Sequence, residues 1–154
     1  MDLNISGSAP NLKRKKLLNL MLFLVEELKL YRYRNPLTID LKFSKNLTKR
    51  ERVYGNVIWE DDNHRPREFT IMVDKDLGPR KIIYTLIHEM VHVKQYASGR
   101  MKDLSREFGI RTWCGRKIDL WETPYWTQPW EVEARKMEKV FYNKWKEYNK
   151  KITK

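Results

Sequence analysis

Three segments of the chain carry apolar residues at the spacing of an α-helix. The first covers residues 11–31, the second lies between Gly78-Pro79 and Gly99, and the third begins at Pro129 and continues into the lysine-rich C-terminus. Residues three and four apart share one face of a helix, so each segment is predicted to be a helix with one apolar stripe. Proline suits a first helical turn and glycine a helix end, which sets the bounds of the second helix. The stripes consist of Leu17, Leu20, Met21, Leu24 and Leu28; of Ile83, Leu86, Ile87, Met90 and Val91; and of Trp130, Ala134, Met137, Phe141 and Tyr148.

Three shorter segments between the first two helices have the pattern of β-strands. Residues 37–43 and 67–73 alternate between apolar and polar, and residues 53–59 are rich in β-forming residues, with Gly55 interpreted as a bulge. A polar turn at residues 60–66 predicts a hairpin between the last two. The order of helix, strands, helix, irregular segment (residues 100–128) and helix predicts an α+β fold with a small, mostly antiparallel sheet of about three strands.

The length of 154 residues suits one domain with one core. We expect residues 1–10 to be a flexible leader, residues 11–150 a single domain, and residues 151–154 a basic tail. One cysteine excludes an internal disulfide framework and fits a reducing compartment. The longest apolar run, Leu20–Val25, is too short to cross a bilayer, and no signal-peptide pattern is present. The sequence therefore predicts a cytoplasmic protein without membrane contact.

The net charge of +12 makes an anionic partner plausible. The basic residues are spread along the chain, with local density at residues 13–16 and in the last ten residues. Solvated surfaces explain such a distribution as well as a nucleic-acid groove does. Non-specific nucleic-acid contact is thus an expectation that charge alone leaves open.

The predicted second helix contains the motif His88-Glu89-Met90-Val91-His92. Histidines four residues apart lie on one face of a helix, one turn above the other, and can bind the same Zn²⁺ ion. Glu89 lies beside His88, from where its carboxylate can reach a water on the metal without being a ligand. The alternative is a pair of ordinary, partly buried histidines, but two of the three histidines in the chain fall in this motif. We therefore predict a metal site.

A catalytic zinc takes three protein ligands and leaves one position open. The candidates for the third ligand are Glu131, Glu133, Cys114, His64 and Asp119. Glu131 and Glu133 flank the apolar stripe of the last helix at similar angles, so periodicity does not choose between them. Cys114 is interpreted as a buried structural thiol, and His64 as a solvated residue of the polar turn.

The segments His88–Tyr96 and Pro129–Ala134 resemble the small phage- and bacteria-encoded SprT-like metallopeptidases and, more broadly, the gluzincins, zinc peptidases whose third ligand is a glutamate on a later helix. The resemblance covers roughly residues 67–140 and implies a minimal zincin fold with Glu131 as the third ligand. Two features depart from these families. Arg135 stands where an aspartate often supports a ligand histidine, and no histidine follows His92, although the SprT proteins proper use a histidine as their third ligand.

The resemblance further implies a zinc-dependent metallopeptidase with Glu89 as general base and a protein or peptide as substrate. Gluzincins often stabilise the oxyanion with a tyrosine or histidine, and Tyr125 is the candidate for that role, with an ordinary packed aromatic as the alternative. Zincins pair an extended substrate with an edge strand before the motif helix, which here implies residues 69–73. For a phage-encoded protein, the compartment would be the host cytoplasm.

Two other functions remain open. One is a nucleic-acid-associated SprT-like module that binds or acts on DNA-bound proteins, with a weak or vestigial catalytic site. The other is a zinc amidase that acts on a different amide, such as cell-wall peptide. A purely structural zinc site has closed coordination and no use for a general base, so Glu89 favours an enzyme.

Overall fold

The structure, a computed structural model, describes residues 1–61 and 64–153. Within those residues the chain forms four α-helices and seven strands, so the predicted α+β class is confirmed. Asp62 and Asn63, in the predicted turn, lie outside the described residues. The elements are β1 (Asp2–Ser6), α1 (Arg14–Glu27), β2 (Thr38–Ser44), α2 (Leu47–Glu51), β3 (Gly55–Trp59), β4 (Glu68–Asp74), α3 (Pro79–Ala97), β5 (Met101–Ser105), β6 (Ile110–Trp113), β7 (Arg116–Asp119) and α4 (Pro129–Ile152), with short 3-10 turns at Leu30–Arg32 and Tyr125–Thr127.

The larger sheet has the strand order β1-β2-β4-β3. The predicted hairpin is confirmed, because β3 and β4 are antiparallel neighbours. The prediction of a mostly antiparallel sheet of three strands is wrong, since β1, β2 and β4 run parallel and only β3 is antiparallel. Period-2 alternation reports which face of a strand is buried and carries no information about strand direction. The parallel pairing of β2 with β4 therefore depends on tertiary packing and not on the local sequence pattern.

The predicted flexible leader is also wrong. Asp2–Ser6 forms β1, which pairs with β2 from Asp2↔Thr38 to Ser6↔Lys42. Leu3 and Ile5 pack against the hydrophobic core, while Asp2, Asn4 and Ser6 are exposed. Two apolar residues in five are too weak a pattern to identify a strand, and it forms because β2 offers it an edge.

The three predicted helices are confirmed as α1, α3 and α4. α3 begins at Pro79 after Gly78, and the chain leaves it at Gly99, whose φ of +77° suits glycine. α4 continues to Ile152, so the predicted tail at residues 151–154 starts inside a helix. None of the helices in the described part of the chain is long and apolar enough to cross a membrane.

The segment predicted to be irregular, residues 100–128, contains a second sheet with the antiparallel order β5-β6-β7. Its strands have four or five residues, too few to show a clear alternation. Cys114 lies in the turn between β6 and β7 with φ of +50°. It is exposed, so the interpretation as a buried thiol is wrong.

Candidate metal centre

Two histidines of α3 and a glutamate of α4 bring their side chains together. The Nε2 atoms of His88 and His92 lie 3.0 Å apart, with the ring planes nearly perpendicular. α4 packs against α3, and its first turn carries Glu131 to both rings. Glu131 Oε2 lies 3.0 Å from His88 Nε2, and Oε1 lies 3.1 Å from His92 Nε2. The three predicted ligands therefore meet at one point.

This arrangement fits a metal ion. Bonds of 2.0–2.1 Å to a tetrahedral zinc would separate its ligand atoms by about 3.3–3.4 Å, close to the spacing of these three side chains. Two imidazole nitrogens and a carboxylate are also a donor set typical of catalytic sites for divalent transition metals. Among the described residues, His88, His92 and Glu131 form a group that can hold a metal ion.

The close contacts within this group shift the pKa values of His88 and Glu131. Burial disfavours protonation of His88, but hydrogen bonds to Glu131 and Glu138 outweigh burial and raise its pKa to about 10. Burial opposes ionisation of Glu131, yet the two histidines hold its pKa well below the usual range. In the absence of a metal the cluster thus keeps a proton, and metal binding must release it.

His88 is supported by a residue that the sequence did not indicate. Its Nδ1 lies 2.5 Å from Oε1 of Glu138, which is seven residues, or two helical turns, beyond Glu131 on α4. Glu138 thereby performs the supporting role for which Arg135 is chemically unsuited. In the sequence, only the seven-residue spacing of Glu131 and Glu138, which places both on one face of the helix, could have indicated this role for Glu138.

His92 is supported from within its own helix. Its Nδ1 lies 2.6 Å from Oε1 of Gln95, a fully buried residue whose amide nitrogen donates to the Trp130 carbonyl and to Glu133 Oε1, each at 3.1 Å. Glu133 also forms an ion pair of 2.6 Å with Arg100. Burial opposes ionisation of Glu133, but the Arg100 hydrogen bond holds its pKa below the usual value. Glu133, the alternative third ligand, therefore points to Arg100 and Gln95 and lies outside the metal-binding group.

The two predicted catalytic residues, Glu89 and Tyr125, line one cleft together with the three candidate ligands. Glu89 is buried, and desolvation raises its pKa, with His92 and His88 opposing the shift. The hydroxyl of Tyr125 donates to Glu131 Oε2 at 2.8 Å. Burial and this hydrogen bond raise the pKa of Tyr125, so its hydroxyl keeps its proton at neutral pH.

The cleft has a volume of about 200 Å³ and lies between β3 and the start of α4. Gly55, Asn56 and Val57 form its rim on the β3 side. The expectation that residues 69–73 form the edge strand is wrong, because β4 is paired on both sides and β3 is the edge beside the cleft.

Gly55 is a close-approach residue rather than the predicted bulge. The pairing of β3 with β4 runs without a register shift from Gly55↔Val73 to Trp59↔Phe69. A Cβ at this position would lie 2.6 Å from Thr85 Cγ2 and 2.9 Å from the Met72 carbonyl oxygen. Glycine therefore allows β3 to lie directly against the motif helix.

The other candidate ligands lie outside the cluster. Asp119 is exposed and accepts a hydrogen bond from the Trp121 backbone. Cys114 is exposed in its turn. His64 is exposed, as predicted for a residue of the polar turn.

Comparison of the chain with protein-family models, curated proteins and solved structures gave no match.

Proposed function

We propose that the protein is a zinc-dependent metallopeptidase of minimal zincin type, with His88, His92 and Glu131 as zinc ligands. The observation that carries the proposal is the convergence of these three side chains beside a buried carboxylate, Glu89, that is not one of them. Zinc is the metal that most commonly takes two histidines and a glutamate in a hydrolytic site. The open side of the cluster faces the cleft, which suits a catalytic rather than a structural metal.

Zinc bound there would act as a Lewis acid that polarises a carbonyl oxygen and lowers the pKa of a water molecule. Glu89 accepts the proton of the attacking water and then donates it to the leaving amine. Burial raises the pKa of Glu89, which makes its carboxylate a stronger proton acceptor. The hydroxyl of Tyr125, which donates to Glu131 Oε2 in the structure, would turn away from that acceptor to donate a hydrogen bond to the oxyanion.

The edge of β3 supports a polypeptide as the substrate. Asp74 N donates to Tyr54 O, and Glu60 N donates to Glu68 O, so the even-numbered residues of β3 bond to β4. The backbone groups of Gly55, Val57 and Trp59 therefore point away from the sheet. An extended substrate can pair with them as an added strand, which recognises backbone more than side chains. The buried Oδ1 of Asn56, which accepts no hydrogen bond from the described residues, offers one further acceptor in the cleft.

The test compares zinc content and casein cleavage in three variants. Glu89→Gln should keep zinc and lose about 10²- to 10⁴-fold in turnover, because only the proton acceptor is removed. Glu131→Ala should lose most of the zinc. Glu133→Ala is the matched control two residues away and should keep it. Full zinc in Glu131→Ala, or full turnover in Glu89→Gln, would contradict the proposal.

The charge supports a second candidate function, a nucleic-acid-associated module that binds or acts on DNA-bound proteins. Trp126 is about two-thirds exposed, and the Arg135 guanidinium lies over its ring at 4.6 Å, beside the basic surface of α4. Aromatic rings next to cationic groups suit single-stranded nucleic acid. Salt-dependent retention on DNA, without metal-dependent cleavage of any protein, would favour this function over the peptidase.

A further inference from the structure

One positively charged side chain of the metal cleft has no part in the proposed mechanism. Arg111, on β6, lines the cleft together with the three candidate ligands, and among the described residues that do so it is the only lysine or arginine. Its side chain is 19% exposed, so the guanidinium is partly withdrawn from solvent. A cation held at that depth beside a divalent metal ion is unfavourable unless an anion offsets its charge. Arg111 is therefore expected to have an anionic partner.

Asp103, which lies directly opposite Arg111 on β5, supplies only part of that negative charge. Its Oδ1 lies 2.7 Å from Nε of Arg111, and its Oδ2 lies 3.7 Å from Nε of Arg106. One carboxylate thus serves two arginines, and the group of three keeps a net charge of +1. In the proposed metal-bound site, Glu131 and an ionised Glu89 balance the two charges of Zn²⁺. The positive charge at Arg111 therefore remains unbalanced.

The guanidinium of Arg111 is oriented with its terminal nitrogens toward the cleft. Arg111 lines the cleft, whereas Asp103, on the Nε side, lines only a separate cavity at the end of β3. The guanidinium carbon lies 4.8 Å from the centre of the Trp130 ring, and this cation–π contact helps to hold the group in place. Within residues 1–61 and 64–153, neither terminal nitrogen donates to an oxygen, and the one sulfur contact, from Nη1 to Met101, is 3.8 Å long. Donors on both terminal nitrogens thus remain for a ligand in the cleft.

A carboxylate fits both these donors and the space. The terminal nitrogens of a guanidinium bind a carboxylate through two parallel hydrogen bonds. The cleft, about 200 Å³, is smaller than the roughly 300–1,000 Å³ of pockets for drug-sized ligands, so it holds little beyond the reacting amide and one neighbouring residue. The rest of its lining near Arg111 is aromatic or apolar, at Tyr96, Met101 and Trp130. The ligand is thus a compact group with one carboxylate.

We propose that Arg111 binds a carboxylate of the substrate, in a residue that adjoins the cleaved bond. The carboxylate comes from an aspartate or glutamate side chain or from the free C-terminus of the substrate, because the guanidinium presents the same two donors to each. Arg111 thereby determines specificity and leaves the reacting atoms to Glu89 and the metal. The inference rests on the proposed function for the cleavage step, whereas binding of the carboxylate requires only Arg111 and the cleft.

The experiment measures binding apart from cleavage, by fluorescence anisotropy of labelled peptides with zinc-loaded Glu89→Gln protein at neutral pH. Two probes are fluorescein-labelled alanine peptides with an amidated C-terminus and either glutamate or glutamine at the centre. Two more contain only alanine and end in a free carboxylate or an amide. Arg111→Met removes the charge but keeps an unbranched apolar side chain over Trp130. Arg106→Met is the matched control, because Arg106 also lies near Asp103 but lines only the separate cavity.

The glutamate peptide should bind about tenfold more tightly than the glutamine peptide, because a charge-assisted pair replaces a neutral contact. Arg111→Met should abolish this preference, and Arg106→Met should keep it within about twofold. Arg111→Lys keeps the charge but not the paired donors, so it should keep only part of the preference. All three variants should keep the zinc content of the parent protein. A gain confined to the peptide with the free C-terminus would support the site and identify the chain end as the source of the carboxylate.

A preference for the carboxylate that survives Arg111→Met would overturn the inference, because the zinc would then be its binding site. Equal binding of the acidic and neutral members of both peptide pairs by the parent protein would also overturn it. If Arg111→Met does not fold, Arg111→Lys decides the question, since a reduced preference supports the inference and an unchanged one contradicts it.

Cleavage by the protein with its native Glu89 provides the second readout. Mass spectrometry of a digested peptide library should show aspartate, glutamate or a chain end next to the cleaved bonds, and Arg111→Met should remove that enrichment. Cleavage without the enrichment would refute the inference and leave the peptidase in place. Carboxylate binding that depends on Arg111, without any cleavage, would support the site and refute the peptidase.

Discussion

In the proposed metal centre, His88 and His92 would both bind zinc through Nε2, but different parts of the molecule hold their rings. His88 relies on the carboxylate of Glu138, fifty residues later on α4, whereas His92 relies on the amide of Gln95 on its own helix. Each partner lies on the Nδ1 side of its ring and directs Nε2 to the metal position. The support of His88 is charged and partly exposed, and that of His92 is neutral and fully buried. We therefore expect both supports to act on metal affinity and on folding stability, the first through a charge-assisted hydrogen bond and the second through a neutral, buried network.

The largest effect is expected for Glu138→Ala. Removal of a carboxylate that orients a ligand histidine should weaken zinc binding by about 10- to 100-fold. The metal-free protein should also lose about 1.5–3 kcal/mol in unfolding free energy, because the charge-assisted hydrogen bond to His88 is lost. Competition with a fluorescent zinc chelator measures the affinity. Lys139→Ala, the exposed neighbour on α4, is the control. An unchanged affinity would mean that the packing of α3 against α4 alone holds His88.

Gln95→Leu tests the other histidine. We expect about tenfold weaker zinc binding, together with a loss of about 1–3 kcal/mol in the unfolding free energy of the metal-free protein, because the Trp130 carbonyl loses a buried donor. Urea denaturation with and without zinc separates the two effects. A stability loss in Gln95→Leu but not in Glu138→Ala would show that solvent replaces the partly exposed support and not the buried one.

Asp74 provides a reference carboxylate that stabilises structure away from the metal. The Thr48 hydroxyl, 2.6 Å away, holds its pKa below the usual 3.8, with burial opposing and backbone donors assisting. Because the pKa is lower in the folded protein, the stabilisation is fully present above pH 3.8 and is lost as the pH falls through the folded-state value. Thr48→Val should therefore cost about 1 kcal/mol at pH 7. Denaturation at several pH values should show that the stability difference between wild type and Thr48→Val shrinks in acid. At neutral pH, Thr48→Val should bind zinc with the affinity of wild type.

The smallest effect is expected for Arg100→Met. The ion pair of Arg100 with Glu133 is partly solvent-exposed, so its loss should change the unfolding free energy by less than about 1 kcal/mol. Zinc affinity should stay within about threefold, since Glu133 keeps its hydrogen bond from Gln95. A tenfold loss in the chelator assay would show that the support of His92 extends through Glu133 to Arg100.

Glu131 and Glu133 show where prediction from the sequence reaches its limit. Both flank the apolar stripe of α4, and their helical positions are equivalent with respect to that stripe. The choice between them follows from what lies opposite each one, the imidazoles of α3 for Glu131 and Arg100 for Glu133. The resemblance to gluzincins indicated Glu131, whereas periodicity could not distinguish Glu131 from Glu133.

The sequence by itself determined the three long helices, the β3–β4 hairpin and the pairing of His88 with His92. These features depend on spacing within about ten residues, where backbone geometry fixes which side chains share a face. The tertiary structure alone decided the parallel order of the larger sheet, the strand at residues 2–6, the sheet at residues 101–119 and the support of His88 by Glu138. Each of these joins segments far apart in the chain, and such contacts follow from packing of the core rather than from any local period.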